Sequence, residues 1–205
     1  MRHLEITTYI GCPNMCEYCP QDLLIKTYKG KRRMDIEDFK RILDNVPSDV
    51  DIHFSGFSEL FFHKDAIEFI KEARKEHQVV IYTTTNGMTQ EQSDQLKNID
   101  FKLFVVHNNQ RNNNVVLDFP HSPIGIDETS KISRGGNLWK VKERDGKCST
   151  SPEFEQNVVL PNGDVYLCCM DYGLKHKLGN LLQTNFNDLQ RLDKYELCKT
   201  CERCI

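Results

Sequence analysis

Cys12, Cys16 and Cys19 stand in GCPNMCEYCP at CxxxCxxC spacing, directly after the apolar run LEITTYI. Thiolates hold iron–sulfur clusters, and a [4Fe–4S] cube is ordinarily closed by four of them, so three leave one iron open to another ligand. Chemistry would then happen at that iron. Pro13 and Asn14 favour a loop that can wrap the three thiols around one centre. The plain alternative is zinc, but a structural zinc site takes four protein ligands, and neither a fourth Cys nor a His follows before His53. The other six of the nine cysteines, Cys148, Cys168, Cys169, Cys198, Cys201 and Cys204, all lie near the C-terminus. An odd, bimodal set of this kind speaks for two metal centres rather than disulfides.

The elements that must position these thiols read as alternating strands and helices. LEITTYI, DIHFSG, QVVIYTTT and FKLFVVH are strand-like. MDIEDFKRILDNV has Asp35 as N-cap, HKDAIEFIKEARKE follows DIHFSG, and TQEQSDQLKNI opens on a capping-box pattern, Thr89 with Gln92. Strand and helix in alternation predict a parallel sheet with right-handed crossovers. After His107 the rhythm breaks: NNQRNNN cannot supply a crossover helix, and VVLDF and IGIDE read as short strands. The barrel is therefore expected to be incomplete. SRGGNLWK reads as a connection out of the core. NVVLPNGDVYLCC reads as a hairpin turning at Asn162-Gly163, and FNDLQRLDKYEL as a last helix before CKTCERCI.

Length and composition set outer bounds. A chain of 205 residues buries one core with room for a small appendage. A formal charge of −3 offers no basic field for a nucleic-acid backbone. The start, MRHLEITTYI, does not read as a signal peptide, and no run is long and apolar enough for a bilayer span. The expectation is a soluble cytoplasmic protein that binds neither nucleic acid nor membrane.

With these residues in view, the chain resembles the radical S-adenosylmethionine (SAM) superfamily, specifically members with a C-terminal SPASM or twitch-type extension. The signature is CxxxCxΦC after the first strand, and Tyr18 fills the aromatic place. The resemblance implies that Cys12, Cys16 and Cys19 hold a [4Fe–4S] cluster whose fourth iron chelates SAM, and that electron transfer releases a 5′-deoxyadenosyl radical. SGFSEL looks like the family's GGE motif, which places Gly56, Phe57, Ser58 and Glu59 around the methionyl ammonium. Phe57, Ser58 and Leu60 depart from the usual residues there. Thr84, Thr85 and Asn86 end the third strand and His107 and Asn108 the fourth, on the rim where ligands gather in such barrels. Each also has an ordinary reading as a cap, a turn or a structural His. SRGGN resembles an element at the core exit, where Arg134 can pair with the SAM carboxylate; a surface arginine in a linker is the alternative.

In the tail, Cys148 followed by GxxxxC at Gly163–Cys168 matches the opening of the auxiliary-cluster pattern. The resemblance implies one auxiliary [4Fe–4S] cluster on Cys148, Cys168, Cys198 and Cys201. Cys204 is the main competitor. Cys169 is less favoured because neighbours on a strand face opposite ways. The same spacing also suits zinc.

The fold class expected is thus α/β: an incomplete (β/α) radical SAM barrel over 1–140 and a hairpin-plus-helix, SPASM/twitch-like cluster extension over 141–205. The function implied is reductive SAM cleavage and hydrogen abstraction from a substrate, ending in peptide oxidation or crosslinking or in dehydrogenation of a small alcohol or sugar. A reducing partner such as flavodoxin or ferredoxin is implied with it. The rivals are a two-cluster electron carrier without SAM chemistry and a zinc-stabilised binding module. No residue identifies a catalytic acid, base or radical relay.

Overall fold

The computed structural model describes residues 2–14, 16–107, 114–125 and 132–204. Alternation along the strands decides which side chains meet the core. In β1 (His3–Ile6), Leu4 and Ile6 are buried among the helices while His3 and Glu5 face the other way. The same pattern recurs in β2 (Asp51–Phe54), β3 (Val79–Thr83) and β4 (Leu103–His107), where Ile52, Phe54, Ile81, Phe104 and Val106 fill the core. With β5 (Ser122–Ile124) these strands form a parallel array in the order β5-β4-β3-β2-β1.

Helices cover the apolar face. After α1 (Gln21–Thr27), α2 (Ile36–Leu43) is capped by Asp35, whose side chain accepts from the Asp38 amide at 2.9 Å. Phe39 of α2 meets Phe69 of α3 (Ala66–Ala73) edge-on at 4.9 Å. The expected capping box at Thr89 and Gln92 opens α4 (Gln90–Leu96).

The hairpin forms as read, β6 (Gln156–Val159) with β7 (Asp164–Tyr166), turning at Gly163 with φ +80°. A Cβ at Gly163 would stand 2.7 Å from Leu182 Cγ, so both conformation and space call for glycine. The hairpin does not stand apart: β6 pairs in parallel with β1, and β8 (Lys177–Asn180) completes one eight-stranded sheet among the described residues. The result is an open, partial (β/α) barrel whose sheet is continued by the tail.

Three local readings are corrected. Val115–Phe119 is not a strand, because its backbone is taken up by α4: Val116 O accepts from the Ser93 hydroxyl at 2.7 Å, and its amide donates to Gln90 Oε1 at 2.9 Å. The edge strand begins instead at Ser122 and takes in Ile124 of the IGIDE run, of which residues 126–128 lie outside the described residues. The last helix is two 3-10 turns, Phe186–Asp188 and Glu196–Thr200. Between them Gln190 N donates to Leu178 O and Leu192 N to the Tyr195 hydroxyl, so the amides are spent on tertiary partners rather than on a helix.

Candidate active site

The sheet face opposite the helices opens on a cleft of about 510 Å³, within the usual range for a small-molecule site. Cys12, Cys16 and Cys19 line it, and none of the three is in a disulfide. Asn14 fixes their loop: its amide donates to Thr84 Oγ1 at 2.9 Å, and its carbonyl oxygen accepts from Asn86 Nδ2 at 2.9 Å. The β3 rim therefore anchors the cysteine loop. Thr84 lines the cleft, whereas Thr85 is fully buried with φ +60°. Asn86 meets the loop rather than the cleft lining, and Asn108 lies outside the described residues.

SGFSEL crosses the cleft at the end of β2. Gly56 is pressed onto β1: a Cβ there would sit 2.4 Å from Thr7 Oγ1 and 2.8 Å from Ile6 O. The Phe57 amide donates to Thr7 Oγ1 at 2.9 Å. Gly56, Phe57, Ser58 and Glu59 all line the cleft, and Ser58 Oγ is buried with no partner among the described residues. The Glu59 carboxylate accepts from Thr83 Oγ1 at 2.6 Å, Thr84 N at 2.7 Å and Thr84 Oγ1 at 2.8 Å. Burial pushes its pKa up against these donors. A carboxylate offers about four acceptor positions, so little is left for an ammonium beyond the neighbouring backbone.

The floor holds residues that spacing did not single out. His3 and His53 stack at 4.0 Å with planes 7° apart, and Tyr82 and His107 continue the row across the sheet at 6.3 Å intervals. Burial, then the neighbouring His3, lowers the His53 pKa to about 4, and burial also lowers that of His107. His53 Nε2 and His107 Nδ1 have no partner among the described residues. Glu5 accepts from Ser55 Oγ at 2.8 Å, and His3 Nε2 is 3.7 Å away. Burial opposes its charge, but the contacts with His3, Ser55 and Cys169 outweigh it and hold Glu5 at about 2.

Arg134 reaches the cleft from the SRGGN turn. Its Nε donates to Tyr18 O at 3.1 Å, and its guanidinium lies 5.8 Å from the centre of the Tyr18 ring. Glu202 pins that turn by accepting from Ser133 N and Oγ at 2.7 and 2.8 Å.

A second cavity is lined by Cys148, Cys168, Cys198, Cys201 and Cys204. Cys148 and Cys204 meet there through an isolated backbone bridge. Glu5, Gln156, Cys169 and Arg203 line both cavities and form the wall between them. Among the described residues no three His, Cys, Asp or Glu side chains converge on a single-ion position. Three cysteines on the cleft and five around the second cavity, none in a disulfide, are a donor set that fits iron–sulfur clusters.

Of the floor and wall, His3, Glu5 and His53 were visible in principle as polar residues at the non-core positions of HLEI and DIHF. Arg203, Gln156 and Tyr172 reach the site only through the path of the tail.

Residues 6–116, more than half of the chain, match the radical SAM superfamily, and residues 148–205 match an iron–sulfur cluster-binding domain, SPASM. The S-adenosyl-L-methionine-dependent 2-deoxy-scyllo-inosamine dehydrogenase of Niallia circulans is 22% identical over 97% of this chain and 91% of its own. The crystal structure of BtrN in complex with AdoMet and 2-DOIA superposes with a TM-score of 0.77 at 20% identity, over 98% of this chain and 93% of that one. Streptococcus suis SuiB bound to precursor peptide SuiA gives 0.61 at 11% identity, over 99% of this chain and 71% of that one. The chain belongs to the radical SAM superfamily, with S-adenosylmethionine and [4Fe–4S] clusters as its cofactors.

Proposed function

We propose that this radical SAM oxidoreductase dehydrogenates a small polyhydroxylated or amino alcohol held between two clusters. The observation that carries the reading is the shared wall: Glu5, Gln156, Cys169 and Arg203 face the cleft on one side and the tail cysteines on the other. Likeness to the inosamine dehydrogenase over nearly the whole of both chains supports it. In this reading 1–140 is the radical-generating core and 141–205 the auxiliary unit. Cys12, Cys16 and Cys19 hold the first cluster; Cys148, Cys168, Cys198 and Cys201 hold the second, with Cys204 as reserve. Tyr18, Gly56, Phe57, Ser58, Glu59, Thr84 and Arg134 surround SAM, Asn86 and Thr85 shape its rim, and His107 faces the ligand.

When bound, the clusters and SAM supply a 5′-deoxyadenosyl radical that takes a carbinol hydrogen atom, and an acceptor for the one electron left on the substrate. The chain's own residues do the rest. Arg203 and Glu5 orient hydroxyl or amino groups against the wall. His53 lines the cleft floor and is kept neutral by burial; in this reading its imidazole takes the hydroxyl proton, so that a carbonyl is left. A flavodoxin- or ferredoxin-type donor supplies the electron that initiates turnover. No helix among the described residues is long and apolar enough to cross a membrane; the reading places the enzyme in the cytoplasm.

The test gives reduced, reconstituted protein SAM and an aminocyclitol deuterated at its carbinol carbons. Deuterium in 5′-deoxyadenosine together with an equivalent of ketone supports the reading. Deuterium-free 5′-deoxyadenosine whose yield rises only with a peptide would move the function to peptide modification.

A further inference from the structure

Tyr172 belongs to the cysteine tail, yet it ends at the other cysteine set. The turn after Cys168 is tight: Asp171 N donates to Cys168 O and Tyr172 N to Met170 O, both at 3.0 Å. It carries the Tyr172 ring onto Phe57, 4.6 Å between centres, and both residues are buried. The phenol oxygen then lies 3.3 Å from Cys19 Sγ, within reach of a hydrogen bond to sulfur. Gln21, in the first turn of α1, approaches the same sulfur at 3.4 Å but also donates to Phe57 O at 2.5 Å. Cys19 is thus joined to a distant stretch of chain by a buried phenol.

We propose that Tyr172 donates to the Cys19 thiolate when the N-terminal cluster is held, and so raises that cluster's reduction potential and ties it to the order of the tail. Reduction adds negative charge to the cluster and its sulfurs, and a donor aimed at a ligating sulfur stabilises that added charge. The phenol is a positioning group: it touches neither substrate nor SAM in this account. The proposal rests on the three-cysteine cluster and not on the identity of the substrate.

The test is an anaerobic potentiometric titration of the holoenzyme, following the electron paramagnetic resonance signal that changes on adding SAM and therefore reports the N-terminal cluster. Tyr172→Phe keeps the ring on Phe57 and removes only the donor. The expected result is unchanged iron content and a midpoint shifted to more negative potential. An unchanged midpoint in a fully loaded variant overturns the proposal. Should Tyr172→Phe load iron poorly, 3-fluorotyrosine at position 172 preserves the shape and strengthens the donor. Its midpoint is expected to move the opposite way, to less negative potential, and no movement there overturns the proposal equally.

Discussion

The two cysteine sets are built in opposite ways. Cys12, Cys16 and Cys19 come from one short loop after β1, steadied by Asn14 against Thr84 and Asn86. The tail set is assembled from separate stretches: Cys148 is bridged to Cys204, Cys168 follows β7, and Cys198 and Cys201 sit in and after a 3-10 turn. A local loop is preorganised for its cluster by few contacts, whereas a site gathered from distant segments draws folding energy from whatever binds there. The N-terminal site should therefore lose chemistry without losing structure, and the tail should lose both.

The largest effect expected is from replacing Cys12, Cys16 and Cys19 together by alanine. SAM cleavage should vanish while thermal unfolding changes little; a tail that unfolds at the same time would break the contrast. Replacing Cys148 and Cys168 should remove about four irons per chain, lower the melting temperature and leave SAM cleavage uncoupled from product. Full iron content in that variant would move the ligands elsewhere.

Smaller effects sharpen the floor of the cleft. His53→Ala should lower kcat for substrate oxidation by roughly 10²-fold, the low end for a lost general base, with SAM cleavage less affected. Neutral His53 is the active form, and its pKa lies near 4 in a setting shared with His3, Glu5, Asp51 and Lys102. Its contribution is therefore present above that value and lost as the pH falls through it. Product formation should be level from about pH 5.5 to 8, where an ordinary imidazole would impose an acid limb near 6.5. Such a limb, measured at saturating substrate, would return His53 to an ordinary environment. The smallest effect is expected from Cys204→Ser, which should keep its iron where Cys201→Ser loses it. Iron loss in the first and not the second would exchange their roles.

The same contrast explains what was legible. The CxxxCxxC loop, the alternating core, the Asp35 and Thr89 caps and the Asn162-Gly163 turn are written in neighbouring residues. The wall of Glu5, Gln156, Cys169 and Arg203 is not, because β6 finds β1 across more than half the chain. The stretch from Phe186 to Leu197 shows the limit most clearly. Its apolar spacing suits a helix, but bonds to β8 and the Tyr195 hydroxyl hold it open. Local pattern gives way where tertiary partners take the backbone. The expectation against Cys169 as a ligand rested on Cys168 and Cys169 being neighbours on a strand, and it is corrected: β7 ends at Tyr166, both cysteines lie in the turn beyond it, and Cys169 lines the wall between the cavities, close to Glu5.

The central claim is that the two sets hold separate clusters on one cleft. The most direct measurement is the electron paramagnetic resonance spectrum of reduced protein with and without SAM, in the variant lacking Cys12, Cys16 and Cys19 and in the variant lacking Cys148 and Cys168. A SAM-responsive signal is expected only in the second and a SAM-insensitive cluster signal only in the first. A SAM-responsive signal that survives loss of the N-terminal triplet would contradict it.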